Sequence, residues 1–104
     1  MRSSMKNYKL QLRANLYDYR ISPLINEEGE GEDPNDFKLP KELVNDLWDW
    51  VVELRQEYHI QSSTIKLGYE IRGLQLVNRL LQQLTRWVQL SYYSEFYKKE
   101  VFFY

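Results

Sequence analysis

The sequence contains no cysteine, a single histidine, four glycines and three prolines in 104 residues. Without a thiol there is no disulfide framework, no cysteine nucleophile and no thiolate metal site. One histidine rules out a multi-histidine metal site and removes most histidine-centred proton relays. Long apolar runs are missing too: the longest unbroken ones are three or four residues, against the roughly 20 that a membrane-spanning helix needs. Met1-Arg2-Ser3-Ser4-Met5-Lys6 has no apolar stretch behind it and lacks the form of a secretory signal. These absences predict a binding or structural protein rather than an enzyme, with no cofactor and no metal.

What is present is ordinary globular material, 43% hydrophobic and 28% charged. The length predicts one compact domain over 1–104, with about two-thirds of the unfolded surface buried. The net charge of −1 conceals a strong asymmetry. Residues 1–26 carry five bases against Asp18, a balance of +4. Residues 27–57 carry eleven acids against Lys38, Lys41 and Arg55, a balance of −8. Residues 58–104 return to +3, with six bases against three acids. Charge laid out this way bears on partners and on association rates rather than on fold. An acidic middle third attracts basic proteins and repels nucleic-acid phosphate, and the basic ends are too dilute for a nucleic-acid footprint.

Tyr8, Leu10, Leu12, Ala14 and Leu16 alternate with Lys9, Gln11, Arg13 and Asn15, which predicts a half-buried strand. The parity then shifts to Tyr17, Tyr19 and Ile21, as a bulge or a second short strand would produce, before Ser22-Pro23 ends the pairing. Residues 26–36 hold six acids, two glycines and one proline without periodicity, which predicts an exposed acidic loop. A helix over about 40–58 opens at Pro40. Its Leu43, Val44, Leu47, Trp50, Val51, Leu54 and Tyr58 fall within about 120° of the wheel.

Residues 60–72 read two ways. Ile65, Leu67, Tyr69 and Ile71 alternate as in a strand, whereas Ser62-Ser63-Thr64 has the residue types that cap a helix. Running the next helix back through this stretch would set Glu70 in the middle of its apolar face, which favours the non-helical reading. From Gly73 onward Leu74, Val77, Leu80, Leu81 and Leu84 form a second amphipathic stripe. Dense aromatic and β-branched residues then predict a hairpin, about 86–93 and 98–104, turning near Ser94–Lys99. The expected fold class is α+β: a small antiparallel sheet made of the N-terminal strand plus the C-terminal hairpin, with two amphipathic helices packed on one face.

Three constellations could carry function. Glu42, Asp46, Asp49, Glu53 and Glu57 line one flank of the first helix at spacings of four, three, four and four. That row is either a solvated face or a docking surface for a basic protein. Trp48, one turn from Val52 and off the core arc, is either an interface anchor or a residue covered by neighbouring elements. The C-terminal aromatics, seven among positions 92–104, have the composition of a base-stacking platform but no basic groove beside them. Core packing, or an edge strand that pairs with itself, accounts for them better. His59 sits where a cation meets the carbonyls at a helix end. Ser62, His59 and Asp49 have the residue types of a nucleophilic triad, yet no Gly-x-Ser-x-Gly elbow or oxyanion loop accompanies them.

Leu39-Pro40-Lys41-Glu42-Leu43 leading to Leu47-Trp48-Asp49-Trp50, and then Gly73-Leu74-Gln75-Leu76 through Leu80-Leu81 before an aromatic strand, form a pattern over about 40–90. It resembles small immunity proteins of bacterial polymorphic-toxin and contact-dependent growth inhibition systems. The resemblance implies a cytoplasmic inhibitor that neutralises a cognate toxin or nuclease domain by covering its basic surface. The acids that would supply the field are Glu27, Glu28, Glu30, Glu32, Asp33, Asp36, Asp46 and Asp49, with Trp48 as apolar anchor. Neither direct nucleic-acid binding nor membrane association is expected. Two alternatives stand beside this reading: a phage-type inhibitor of a host nuclease, and a structural subunit, such as a homodimer, joined through the aromatic edge.

Overall fold

A computed structural model describes residues 8–16, 21–59, 62–84 and 88–103. In chain order these form β1 (Tyr8–Leu12), β2 (Leu24–Asn26), β3 (Gly31–Glu32), a short 3-10 turn (Pro34–Phe37), α1 (Lys41–Glu57), α2 (Ser63–Gln83), β4 (Val88–Ser94) and β5 (Lys99–Phe103). The parity shift at Tyr17 and Tyr19, the segment Met1–Lys6, the expected strand start at Arg86–Trp87 and the final Tyr104 lie outside the described residues.

The strands make one sheet in the order β3-β2-β1-β4-β5. Its α+β class, the N-terminal strand beside the C-terminal hairpin, and the helices on one face all follow the pattern read from sequence. The sheet is mixed, however, because β1 and β4 pair in parallel while the other pairs are antiparallel. Parallel neighbours need a long crossover, and here the two helices provide it.

The strand parity decides the layering. Leu10 and Leu12 of β1, Leu24 of β2, and Leu90 and Tyr92 of β4 face the helices and are buried. Lys9, Gln11, Gln89 and Ser91 take the other parity and line the opposite face. From α1, Leu43, Val44, Leu47, Trp50, Val51 and Leu54 enter the core, as the wheel predicts. Trp50 is 1% exposed, and its indole N–H donates to the Tyr69 carbonyl at 3.1 Å. That bond joins α1 to α2 and satisfies the one polar atom the ring brings inside.

Residues 63–83 are a single helix, which corrects the non-helical reading of 60–72. The Ser62 side chain caps it by accepting from the Ile65 N–H. Glu70 does stand on the buried face, at 8% exposure. It is tolerated because two donors on β4, the Tyr92 and Ser94 hydroxyls, bond its carboxylate. A buried polar group costs little once it is hydrogen-bonded. The orientation that places Glu70 inside also corrects the second stripe: Val77 and Leu80 are buried, but Leu74 and Leu81 stand 41% and 40% exposed. Gly73 lets α2 approach β4, since a Cβ there would sit 2.6 Å from Cε1 of Tyr92.

The segment 26–36 is more ordered than an irregular loop. β2 and β3 form a tight hairpin, with Gly29 N–H donating to the Asn26 carbonyl and Gly29 at φ +86°, a conformation natural to glycine. Neither strand was expected, because three and two residues are too few to display alternation.

Candidate partner-binding surface

The expected binding residues fall into two groups. On the hairpin, Asn26 organises the turn: its side-chain oxygen accepts from the N–H groups of Glu28 and Glu30, at 3.0 and 2.9 Å, while its amide donates to Glu32. Glu27, Glu28 and Glu30 are exposed there. Glu27 lies 3.7 Å from Lys9 in a solvent-exposed ion pair, which contributes little. Glu28 and Glu30 have no ion-pair partner among the described residues. Asp33 is occupied locally, its carboxylate accepting from the Asn35 N–H to cap the 3-10 turn. Asp36 is exposed in that turn.

Tyr8 reports the field of the hairpin. Burial, the hydrogen bond to Glu32 and the charges of Glu32, Glu28 and Glu30 all hold its phenol above the ordinary value. Its ring meets Phe37 at 6.2 Å between centroids.

The second group lies on α1, where the acidic row is answered by α2. Asp46 bonds Arg79 at 2.7 Å, Glu53 bonds Arg72 at 2.8 Å, and the Tyr69 hydroxyl donates to Glu57. The row is therefore largely an inter-helix seam. Glu42 and Asp49 remain exposed. Trp48 is half-buried and packs against the core cluster, so only part of its indole faces outward. No hydrogen bond or ion pair joins the α1 acids to the hairpin acids among the described residues. His59 is exposed two residues beyond α1.

Arg72, Arg79, Asn26 and Tyr8 were not singled out from sequence. The acid spacing on α1 shows a row, but nothing in it says which bases will stand opposite. The sheet face that no described helix covers also escapes the sequence reading. It holds a concavity of ≈ 470 Å³, where Glu100 accepts from Gln11 at 2.6 Å and from Ser91 at 2.8 Å. Beside it Arg13 lies 4.1 Å over the Tyr93 ring and bonds the buried Glu95 at 2.9 Å. The polar parity of Lys9, Gln11 and Arg13 was the available signal for this face.

Among the described residues no three His, Cys, Asp or Glu side chains gather to hold a metal ion, and no helix is long and apolar enough to cross a membrane. Compared with protein-family models and with curated proteins, the chain matches none.

Proposed function

We propose that this protein is a protein-binding inhibitor of the immunity type, acting in the cytoplasm by covering a basic surface of a toxin or nuclease domain. It acts by occlusion rather than catalysis. The observation that supports this reading is the hairpin tip. Glu28 and Glu30 are exposed, have no ion-pair partner among the described residues and stand on a turn pinned by Asn26. Charge displayed on a fixed turn speeds encounter with a basic partner, and little ordering cost remains for docking. Asp36 and Asp49 extend the field, whereas Asp46 contributes less because Arg79 neutralises it. Carboxylates so placed would stand in for the phosphates of a nuclease substrate.

The test is capture from the native host by wild-type protein and by a variant carrying Glu27→Gln, Glu28→Gln, Glu30→Gln and Asp36→Asn. The expected result is a basic toxin or nuclease domain that wild type retains and inhibits, with association several-fold slower and less salt-dependent for the variant. Equal association rates and equal salt dependence for the two proteins would remove the acidic hairpin from the mechanism. Recovery of no basic partner by either protein would overturn the inhibitor reading.

A further inference from the structure

α2 carries two apolar stripes, and the fold covers one of them. Tyr69, Leu76, Val77 and Leu80 are buried against α1 and the sheet. Leu67, Ile71, Leu74 and Leu81 are 53%, 47%, 41% and 40% exposed. Scattered exposed apolar side chains need no explanation, but four on one helix form a patch, and patches mark interaction sites. With Asn78, also exposed, their positions step by four, three, four and three. That is the 3.5-residue repeat of helices that pair along their length. In heptad terms Leu67, Leu74 and Leu81 stand at d, and Ile71 and Asn78 at a. A β-branched residue at a with leucine at d favours two parallel strands, and a single asparagine at a fixes register and oligomer state.

We infer that α2 is a self-association surface, pairing in parallel and in register with α2 of a second copy of this chain. Electrostatics agree with a like partner. No seam residue is charged; Gly68, Gln75 and Gln82 on one flank are neutral, and on the other Val77 is apolar and the Glu70 carboxylate is buried and bonded within the fold, in a chain that is 28% charged. Along the row itself two copies meet without like-charge repulsion; of the α1 acids that border the same groove, Asp46 and Glu53 are paired with Arg79 and Arg72, and Asp49 is exposed. At about 100° per residue the covered stripe is centred roughly 120° round the helix from the seam, so the two stripes face different neighbours. A seam of two heptads buries on the order of 500 Å² per copy, near the lower limit for a specific interface. The dimer is thus concentration-dependent, and it is independent of the acidic hairpin.

Sedimentation equilibrium from about 10 µM to about 1 mM tests it. The wild-type mass is expected to double from 12.7 kDa, while Ile71→Glu and Leu74→Glu remain monomeric with unchanged circular dichroism. Because the chain has no cysteine, Asn78→Cys adds a lone thiol that a parallel register brings face to face with its copy, within disulfide reach. Mild oxidation should link Asn78→Cys into a dimer much faster than the exposed α1 control Gln56→Cys. A wild-type mass fixed at the monomer value, or equal cross-linking of the two thiol variants, overturns the proposal. A dimer that survives Leu74→Glu but dissolves when Phe102 on β5 is replaced by Glu also overturns it, assigning the contact to the sheet edge.

Discussion

The Glu70 carboxylate on α2 takes a hydrogen bond from the Tyr92 hydroxyl on β4 in the interior of the molecule. Ser94, two residues along the same strand, donates to the other carboxylate oxygen. The three groups form a polar unit between helix and sheet, so removing its acceptor leaves two buried hydroxyl protons without one, although Ser94 still accepts from the Tyr97 N–H at 3.0 Å. Glu70→Ala is expected to destabilise by about 3 kcal/mol, from the lost acceptor and the space left behind. Tyr92→Phe should cost about 1–2 kcal/mol, because Ser94 still satisfies part of the carboxylate. Urea midpoints at constant slope would measure both. A Glu70→Ala protein within about 0.5 kcal/mol of wild type would show that water replaces the lost bonds.

This unit also explains where the sequence was and was not legible. α1 could be read because six core residues repeat at helical spacing, and no polar residue interrupts them. α2 was misread over 60–72 because one carboxylate on an apolar face argues against burial until its donors are known. Those donors lie 22 and 24 residues away. Tyr92 and Ser94 share a strand parity, so the information was present, but only pairing a helix with a strand reveals it. The α1 acids behave likewise: their spacing was plain, and the arginines that answer them depend on how α2 is turned.

Gly73 permits that same contact between α2 and β4. An added Cβ would approach Cε1 of Tyr92 at 2.6 Å and Cζ at 2.9 Å, and Tyr92 is 3% exposed with nowhere to move. Helix propensity alone would make Gly73→Ala stabilising by about 1 kcal/mol. Overpacking is expected to reverse the sign, giving a net loss of about 1–2 kcal/mol. Gly68, which has open space around its Cβ position, is the internal control, and Gly68→Ala should stabilise. Thermal melts of the two variants moving in the same direction would contradict this account.

Alkaline pH should unfold the protein through its buried tyrosines. Burial, reinforced by the hydrogen bond to Glu57, pushes the Tyr69 phenol up to about 12 from an ordinary value of 10.0. Burial and the bond to Glu70 raise Tyr92 further still. Above pH 10 the unfolded chain releases these protons while the folded one keeps them, so stability falls as pH rises. The Tyr69 share is complete below pH 10 and lost by about pH 12. Tyr69→Phe should therefore flatten the decline between pH 10 and 12 without abolishing it, because Tyr92 still titrates. Phenolate absorbance followed beside the melts checks the assignment, and an unchanged slope in Tyr69→Phe would refute it.

Asn26 separates the order of the hairpin from its charge. Its side-chain oxygen accepts from two exposed backbone amides, and its nitrogen donates to Glu32. Water can replace part of this in Asn26→Ala, so the cost to global stability is expected to be only about 1 kcal/mol. The local effect should be larger, with the Glu28 and Glu30 amides exchanging hydrogen at least about tenfold faster while Leu12 and Leu24 follow global stability alone. Asn26→Asp keeps the acceptor and so the amide protection. It sets a second carboxylate against Glu32, however, and should be less stable than wild type at pH 7 and recover as the carboxylates protonate. Both variants leave Glu28 and Glu30 in place, so a partner that depends on charge alone binds Asn26→Ala as fast as wild type. A partner that needs the turn held in one shape loses affinity through faster dissociation. Protection at Glu28 and Glu30 that survives Asn26→Ala would mean the turn is held by its backbone, and that the acids owe their position to Gly29 rather than to Asn26.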